Sequence, residues 1–180
     1  HLQGHQSWSM AVNLSTLQFE QPSLVNTVLN CLALHHVPPE MLILEVTETT
    51  AMSNPDESVR VLTELTKAGV KASIDDFGTG YSSLLYLKRL PACELKIDRA
   101  FVKELSGESE DATIVSAIVA LAKTLNLKVV AEGVETEAQQ AFLTELGCNT
   151  LQGYLLGKPV SAQTIEALCA RGEMLPGAGL

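Results

Sequence analysis

The sequence predicts an α/β protein built on a parallel sheet of six strands. Short apolar or β-branched runs alternate with helical segments along the chain, and this order is typical of a parallel sheet with helical crossovers. Each predicted strand also carries a polar or charged residue at its end. The chain has 180 residues, of which 46% are hydrophobic, so it is large enough for one domain with a sizeable core.

Turn and capping residues separate the predicted elements. Asn54 is a good N-cap, Pro55 stands at the first helical position, and Gly69 ends that helix. The predicted strands are residues 9–13, 42–47, 71–75, 94–97, 127–131 and 150–154. The predicted helices are residues 24–35, 55–68, 84–90, 111–125, 135–146 and 161–170. Residues 1–171 are therefore expected to form the domain, and residues 172–180, which lack periodicity, a tail that frays.

The polar residues at the strand ends help to choose between two architectures. An open doubly wound sheet places its ligand at a switch point between a few strands, whereas a closed barrel draws its site from the ends of many strands. Polar residues at the ends of all six strands favour the barrel. These residues are Asn13, Glu45, Asp75 with Asp76, Lys96 with Asp98, Glu132 and Gln152.

The acidic members of this set indicate a metal site. A single carboxylate at a strand end is usually solvated or paired, and Asp76 alone would suit a turn. Several carboxylates at one rim, however, repel one another unless a cation lies between them. All the candidate ligands are oxygen donors, which suits Mg²⁺ or Mn²⁺ and not zinc. Two such ions suit phosphodiester hydrolysis, in which Lys96 would orient the attacking water or neutralise the phosphorane.

The net charge limits the range of partners. It is −9, and a protein that binds DNA or RNA polymers would instead show a basic face. We therefore expect no nucleic-acid polymer as a partner. A bound cation would allow the acidic rim to receive a phosphate group that the bare protein repels.

Six strings in the sequence resemble the EAL domains, which hydrolyse cyclic di-GMP. Their order and spacing match those of the family as well as their composition, from about residue 10 to about residue 170. The strings are VNLS (12–15), LEVTET (44–49), IDDFGTGYSSL (74–84), LKID (95–98), AEGVET (131–136) and QGYLLGKP (152–159). The resemblance implies a TIM-like barrel, cyclic di-GMP as the substrate and linear pGpG as the product.

The resemblance also implies two metal ions and their ligands. Asn13, Glu45 and Asp75 would bind the first ion. Asp75 would bridge to the second ion, which Asp76 and Glu132 would help to hold.

Four further residues receive roles from the same resemblance. Lys96 would contact the nucleophilic water, and Gln152 would complete the hydrogen-bonded shell around the site. Glu48 would brace the DDFGTG loop. Glu135 would support the metal ligands without binding the metal itself.

One part of the family pattern is not found in this sequence. EAL domains begin with a strand, a helix and a strand bearing the motif E-x-L-x-R, whose Glu is a metal ligand. We therefore expect about six of eight βα units here, with the first strands missing. Such a fragment is expected to be inactive alone, to bind metal poorly and to associate through the edges of its open sheet.

Three functions remain open from the sequence. The first is a phosphodiesterase domain of a larger protein, and the second is a degenerate EAL domain that binds cyclic di-GMP without turnover. The third is a protein-interaction module. The intact pair Asp75 and Asp76 favours the enzyme. We expect a homodimer or a regulatory-domain partner in the parent protein. The expected location is the cytoplasm, either free or as the cytoplasmic domain of a membrane-anchored sensor.

Overall fold

A computed structural model describes residues 8–80, 84–105 and 109–170. Within these ranges, six strands form one sheet in which every neighbouring pair is parallel and the spatial order follows the chain, β1 to β6. The strands are β1 (Met10–Leu14), β2 (Leu42–Thr47), β3 (Lys71–Phe77), β4 (Glu94–Ile97), β5 (Lys128–Ala131) and β6 (Thr150–Leu151). A doubly wound sheet reverses its strand order at a switch point, so this order confirms the barrel-type prediction in the form of a half-barrel.

Helices follow the strands and cover the outside of the sheet. The described helices are α1 (Thr16–Phe19), α2 (Leu24–Leu34), α3 (Glu48–Ser53), α4 (Pro55–Lys67), α5 (Leu84–Leu87), α6 (Arg99–Lys103), α7 (Glu110–Thr124), α8 (Glu137–Leu146) and α9 (Ala162–Ala170). A short 3₁₀ helix, Pro39–Met41, precedes β2. None of the helices in the described part of the chain has the length and apolarity that a membrane span requires.

The core lies between the strands and the inner faces of the helices. Val46, Ile74 and Leu95 of the sheet are fully buried, as are Leu62 of α4 and Val115 of α7. Burying each such aliphatic side chain contributes about 1.5–3 kcal/mol. This packing fixes the strands against the helices and thereby holds one rim of the sheet in a defined shape.

Capping residues set where the helices begin after the strands. Thr47 caps α3 by accepting a hydrogen bond from the Thr50 amide, so Glu48 becomes the first residue of that helix. Asp98 caps α6 in the same manner directly after β4. Gly147 ends α8 with a φ of 92°, as expected for a glycine C-cap.

The structure differs from the sequence prediction mainly in its short elements. Helices α1, α3 and α6 were not predicted, because four to six residues do not establish a helical period. Strand β6 ends at Leu151, three residues earlier than expected, because the chain then turns with the Gly157 amide donating to the Gly153 carbonyl. Helix α8 begins at Glu137, two residues later than expected, because Thr136 is its cap.

The outer strands of the sheet have one partner each within the described ranges. Strand β1 pairs with β2, and β6 pairs with β5. Met10 and Val12 of β1 are 68% and 42% exposed, so this edge is apolar. The self-association expected from such an edge stays a prediction. The predicted tail at residues 172–180 lies outside the described residues.

A close approach of two loops offers a test of the fold. The Cβ of an alanine at position 153 would overlap the backbone of Val134, to which the neighbouring residues Gln152 and Leu155 are hydrogen-bonded. We expect Gly153→Ala to lower the free energy of unfolding by about 2 kcal/mol or more, measured by urea denaturation. Thr150→Ala, at an exposed position of β6, should change it by less than about 0.5 kcal/mol. Equal effects of the two substitutions would contradict the packing described here.

Candidate active site

The predicted site residues meet at the carboxyl-terminal rim of the sheet. The register places Asn13 of β1 opposite Glu45 of β2, and Thr47 of β2 opposite Asp75 of β3. Glu45 and Asp75 are each 7% exposed. Because the carboxyl ends of parallel strands share one rim, adjacent strands bring these side chains together.

Lys96 lies at the centre of the acidic group. Its Nζ is 2.8 Å from Glu45 Oε1, 2.8 Å from Glu132 Oε1 and 3.2 Å from Asp75 Oδ1. The Lys96 side chain is only 5% exposed. An ammonium group has three N–H donors, so three carboxylates from three different strand ends occupy all of them. The lysine therefore ties together β2, β3 and the end of β5.

The ionisation of this cluster follows from its burial. Burial alone would lower the pKa of Lys96, but the hydrogen bonds to Glu132 and Glu45 and the charge of Asp75 outweigh burial and raise it. The pKa of Glu132 is raised by burial and by the charges of Asp75 and Glu45, in spite of the pairing with Lys96. One buried cation thus compensates only part of the negative charge at the rim.

A bulge in β3 brings two adjacent aspartates to the same site. Neighbouring residues of a regular strand point to opposite faces. Here the pairing of β3 with β4 shifts between Ile74 and Phe77, and Asp76 has a φ of 53°. This left-handed conformation is uncommon outside glycine and is frequent at functional sites. As a result, oxygens of Asp75, Asp76 and Glu132 lie within 4.8 Å of one another.

Asp98, one of the polar residues at the predicted strand ends, lies beside the same group, although no part in the metal site was predicted for it. Its carboxylate accepts a hydrogen bond from the Ala100 amide at 2.7 Å and lies beside the carboxylate of Asp76. The pKa of Asp76 is raised by burial, by the charge of Asp75 and by this contact with Asp98. The position of Asp98 in the string LKID, two residues after Lys96, is the sequence signal that marks it.

The Asn13 amide lies against two of the carboxylates. One of its terminal atoms lies 3.2 Å from Glu45 Oε2 and 3.3 Å from Asp75 Oδ2. With its NH₂ group in this place, Asn13 donates a hydrogen bond to each carboxylate. If the amide rotates by half a turn, its oxygen takes the place of the NH₂ group and lies beside the two carboxylate oxygens. A hard cation requires oxygen ligands of this kind.

The chemistry of these residues fits a divalent metal. Asn13, Glu45, Asp75, Asp76 and Glu132 supply only oxygen atoms, and Lys96 balances one of the four carboxylate charges. Oxygen ligands with excess negative charge suit Mg²⁺ or Mn²⁺. The five predicted metal ligands are therefore brought to one place, while their role as ligands stays a prediction.

Glu48 lies where the sequence analysis placed it, beneath the glycine loop. It is 2% exposed, and its Oε2 accepts a hydrogen bond from the Gly78 amide at 2.8 Å. A Cβ on Gly80 would come within 3.0 Å of Glu48 Oε1, so the loop passes directly over the carboxylate. Residues 81–83 of the predicted loop lie outside the described residues.

Gln152 and Glu135 are connected to the site through their backbones. The Gln152 amide donates to the Ala131 carbonyl and its carbonyl accepts from the Val134 amide, but its side chain is exposed. Glu135 is also exposed, and its backbone amide donates to Gln139 Oε1. The predicted side-chain roles of Gln152 and Glu135 stay predictions.

Comparison with known proteins identifies the family. Residues 1–159 match the family model of the EAL domain. The chain belongs to the EAL domain family. This EAL domain is 64% identical over 167 residues to MucR of Pseudomonas aeruginosa, which is named a bifunctional diguanylate cyclase/cyclic di-GMP phosphodiesterase. It is 46% identical over 166 residues to NbdA of the same organism, which is named a cyclic di-GMP phosphodiesterase.

The EAL domain described here is shorter than these relatives. The matches cover 93% and 92% of this chain, but only 24% of MucR and 21% of NbdA. Among solved structures, the MucR phosphodiesterase in complex with c-di-GMP superposes with a TM-score of 0.88, covering 91% of this chain and 66% of that one. A manganese/cy-diGMP complex of Klebsiella pneumoniae BlrP1 is 34% identical, with a TM-score of 0.75, and the match covers 84% of this chain and 39% of BlrP1.

The central lysine of this EAL domain gives a prediction about stability. Lys96→Met leaves Glu45, Asp75 and Glu132 buried without their cation. We expect the free energy of unfolding in chelator to fall by about 3 kcal/mol. Added Mn²⁺ or Mg²⁺ should stabilise the variant more than the wild type, because the metal replaces the lost charge. Urea denaturation with and without metal measures both effects.

A second lysine provides the control for that substitution. Lys128 is exposed at the amino-terminal end of β5, at the opposite rim of the sheet. Lys128→Met should change stability by less than about 0.5 kcal/mol, with no dependence on metal. The same loss in both variants, or a metal response no larger than that of the wild type, would contradict the role given to Lys96.

The contact between Glu48 and the glycine loop gives a prediction about turnover. Glu48→Ala removes the acceptor of the Gly78 amide, so the loop behind Asp75 and Asp76 loses its support. We expect kcat to fall about 10-fold or more, equivalent to about 1.4 kcal/mol, while stability falls by only about 1 kcal/mol. Glu48→Gln retains an acceptor oxygen and should keep most of the activity. Full activity of Glu48→Ala would show that the loop does not need this brace.

Proposed function

We propose that the protein containing this EAL domain hydrolyses cyclic di-GMP to linear pGpG with the help of Mg²⁺ or Mn²⁺. The observation that carries the proposal is the meeting of Asp75, Asp76 and Glu132 beside Lys96 at one rim of the sheet. The names of MucR and NbdA, and the ligand in the solved MucR complex, support cyclic di-GMP as the substrate.

The charge at the rim explains why a cation is part of the proposal. Glu45, Asp75, Asp76 and Glu132 would repel a phosphodiester, and Lys96 neutralises only one of them. We propose that Asn13 and these four carboxylates hold the metal, in keeping with the manganese complex of BlrP1. The bound ions would activate water and neutralise charge on the phosphate.

The remaining residues would orient the groups around the phosphate. Lys96 keeps the three carboxylates close together. Once one of them turns from the lysine to the metal, the N–H group it leaves would donate a hydrogen bond to the attacking water. Asp98 lies beside Asp76, and Glu48 holds the loop that follows by accepting a hydrogen bond from the Gly78 amide. Each of these side chains is held by at least one hydrogen bond or ion pair, which is the preorganisation that such a reaction requires.

The proposal is tested by removing the bridging aspartate. In the whole protein, Asp75→Asn should lower hydrolysis of cyclic di-GMP by at least about 100-fold, because the residue is proposed to ligate both ions. Excess chelator should abolish hydrolysis by the wild type, and Mg²⁺ or Mn²⁺ should restore it. Product analysis by chromatography would identify pGpG.

An exposed aspartate serves as the control. Asp56 pairs with Arg89 on the surface of α4, and Asp56→Asn should leave the rate unchanged. Undiminished hydrolysis by Asp75→Asn, or in chelator, would rule out the mechanism. Tight binding of cyclic di-GMP by the wild type without any hydrolysis would favour the receptor function in its place.

A further inference from the structure

Gln139 forms a buried bridge that belongs to no ligand set described above. It lies in the first turn of α8 and is 6% exposed. Its Oε1 accepts hydrogen bonds from the amides of Glu135 at 2.8 Å and Thr136 at 3.0 Å. Its Nε2 donates to the carbonyls of Val102 at 2.9 Å and Lys103 at 3.2 Å. Two donors and two acceptor positions are all that a carboxamide offers, and all are used.

The two segments joined by this amide each lead to a residue of the proposed metal site or its immediate surroundings. Glu135 and Thr136 belong to the loop between β5 and α8, which begins with Glu132. Val102 and Lys103 form the end of α6, the helix that starts directly after Asp98. The bridge therefore connects the loop that begins with Glu132 to the helix that begins directly after Asp98.

The same loop also contacts the beginning of α6. Gly133 has a φ of 72°, and a Cβ at this position would lie 2.6 Å from the Cβ of Arg99. The Glu132 amide donates to the carbonyl of Ile97, the last residue of β4. The loop is thus held against the β4–α6 segment at both ends, and Gln139 makes the contact at the far end.

Part of this arrangement is ordinary helix capping, and part is not. Thr136 and Gln139 form a capping box, in which Gln139 Oε1 accepts from the backbone of the cap residue. The two bonds from Nε2 to α6 have no place in a capping box, because they reach residues 36 and 37 positions away. They are the part of the bridge that could control the position of Glu132.

We propose that Gln139 is a positioning residue that sets the distance of Glu132 from Asp75 and Asp76 and thereby the affinity of the metal site. The inference rests on the proposed function, in which these three carboxylates hold metal. The physical reason is that the carboxylates repel one another and would move apart if their loops were free. The hydrogen bonds of Gln139 to α6 oppose that movement.

One substitution separates positioning from capping, and a second guards against a failure to fold. Gln139→Glu keeps the size of the side chain and the acceptor for Glu135 and Thr136, but it cannot donate to Val102 and Lys103. Gln139→Asn keeps the amide but is one methylene too short to span both segments, and it avoids a buried charge. It therefore serves as the second variant if Gln139→Glu does not fold.

A matched control lies near the amino-terminal end of β5, the strand that precedes the Glu132 loop. Asn149 Oδ1 accepts a hydrogen bond from the Val129 amide at 2.8 Å, and so joins β5 to the segment before β6. This is also a bridge from a side-chain amide to the backbone, but it lies at the rim opposite the site. Asn149→Ala should reduce stability without affecting the metal.

The experiment measures Mn²⁺ binding to the whole protein by calorimetry in the absence of nucleotide, together with urea stability in chelator. We expect Gln139→Glu and Gln139→Asn to weaken binding of at least one Mn²⁺ about tenfold, and Asn149→Ala to leave it unchanged. The Mn²⁺ concentration for half-maximal hydrolysis should rise in the Gln139 variants, while kcat at saturating Mn²⁺ returns towards the wild-type value.

Two different results would overturn the inference, and they are distinguishable. If the Gln139 variants lose stability but bind Mn²⁺ as the wild type does, Gln139 only caps the helix and the proposed function is unaffected. If the wild type itself binds no Mn²⁺, the proposed metal site is wrong, and the positioning role fails with it.

Discussion

The structure depends on a charge imbalance at one rim of the half-barrel. Four carboxylates meet there around one buried ammonium group, that of Lys96. Burying carboxylates together is costly unless they are paired, so the surrounding structure must hold them in place. The lysine stabilises the group without neutralising it, and the negative charge that remains is what makes the rim suitable for a divalent cation.

Several of the acidic residues at this rim are placed by local features of the chain. A bulge with left-handed Asp76 turns two adjacent aspartates to the same side, where a regular strand would separate them. Helix α3 begins at Glu48 because Thr47 caps it, and this places Glu48 under the Gly78 amide. Gln139 joins the loop of Glu132 to helix α6. The site is therefore a property of loops that are tied to one another as well as to the sheet.

Most of the fold could be predicted from the sequence because the strands and the long helices follow local patterns of apolar and capping residues. Strands β2 and β4 have the predicted bounds, and α4 and α7 agree to within one residue at each end. The short helices α3 and α6 were missed because their existence depends on caps and on contacts with distant loops. The end of β6 was misplaced because the chain turns after Leu151 and its backbone hydrogen-bonds to Val134, a contact that no local period in the sequence records.

The sequence by itself determined the α/β class, the order of the strands and the residues at the strand ends, since apolar periodicity and motif spacing are recorded along the chain. Only the tertiary structure decided that Lys96 binds three carboxylates at once, that Asp98 lies beside Asp76, and that Gln139 joins a loop to helix α6. These contacts join residues from different strands and helices. Their distances are fixed by the curvature and packing of the sheet, which no local pattern in the sequence specifies.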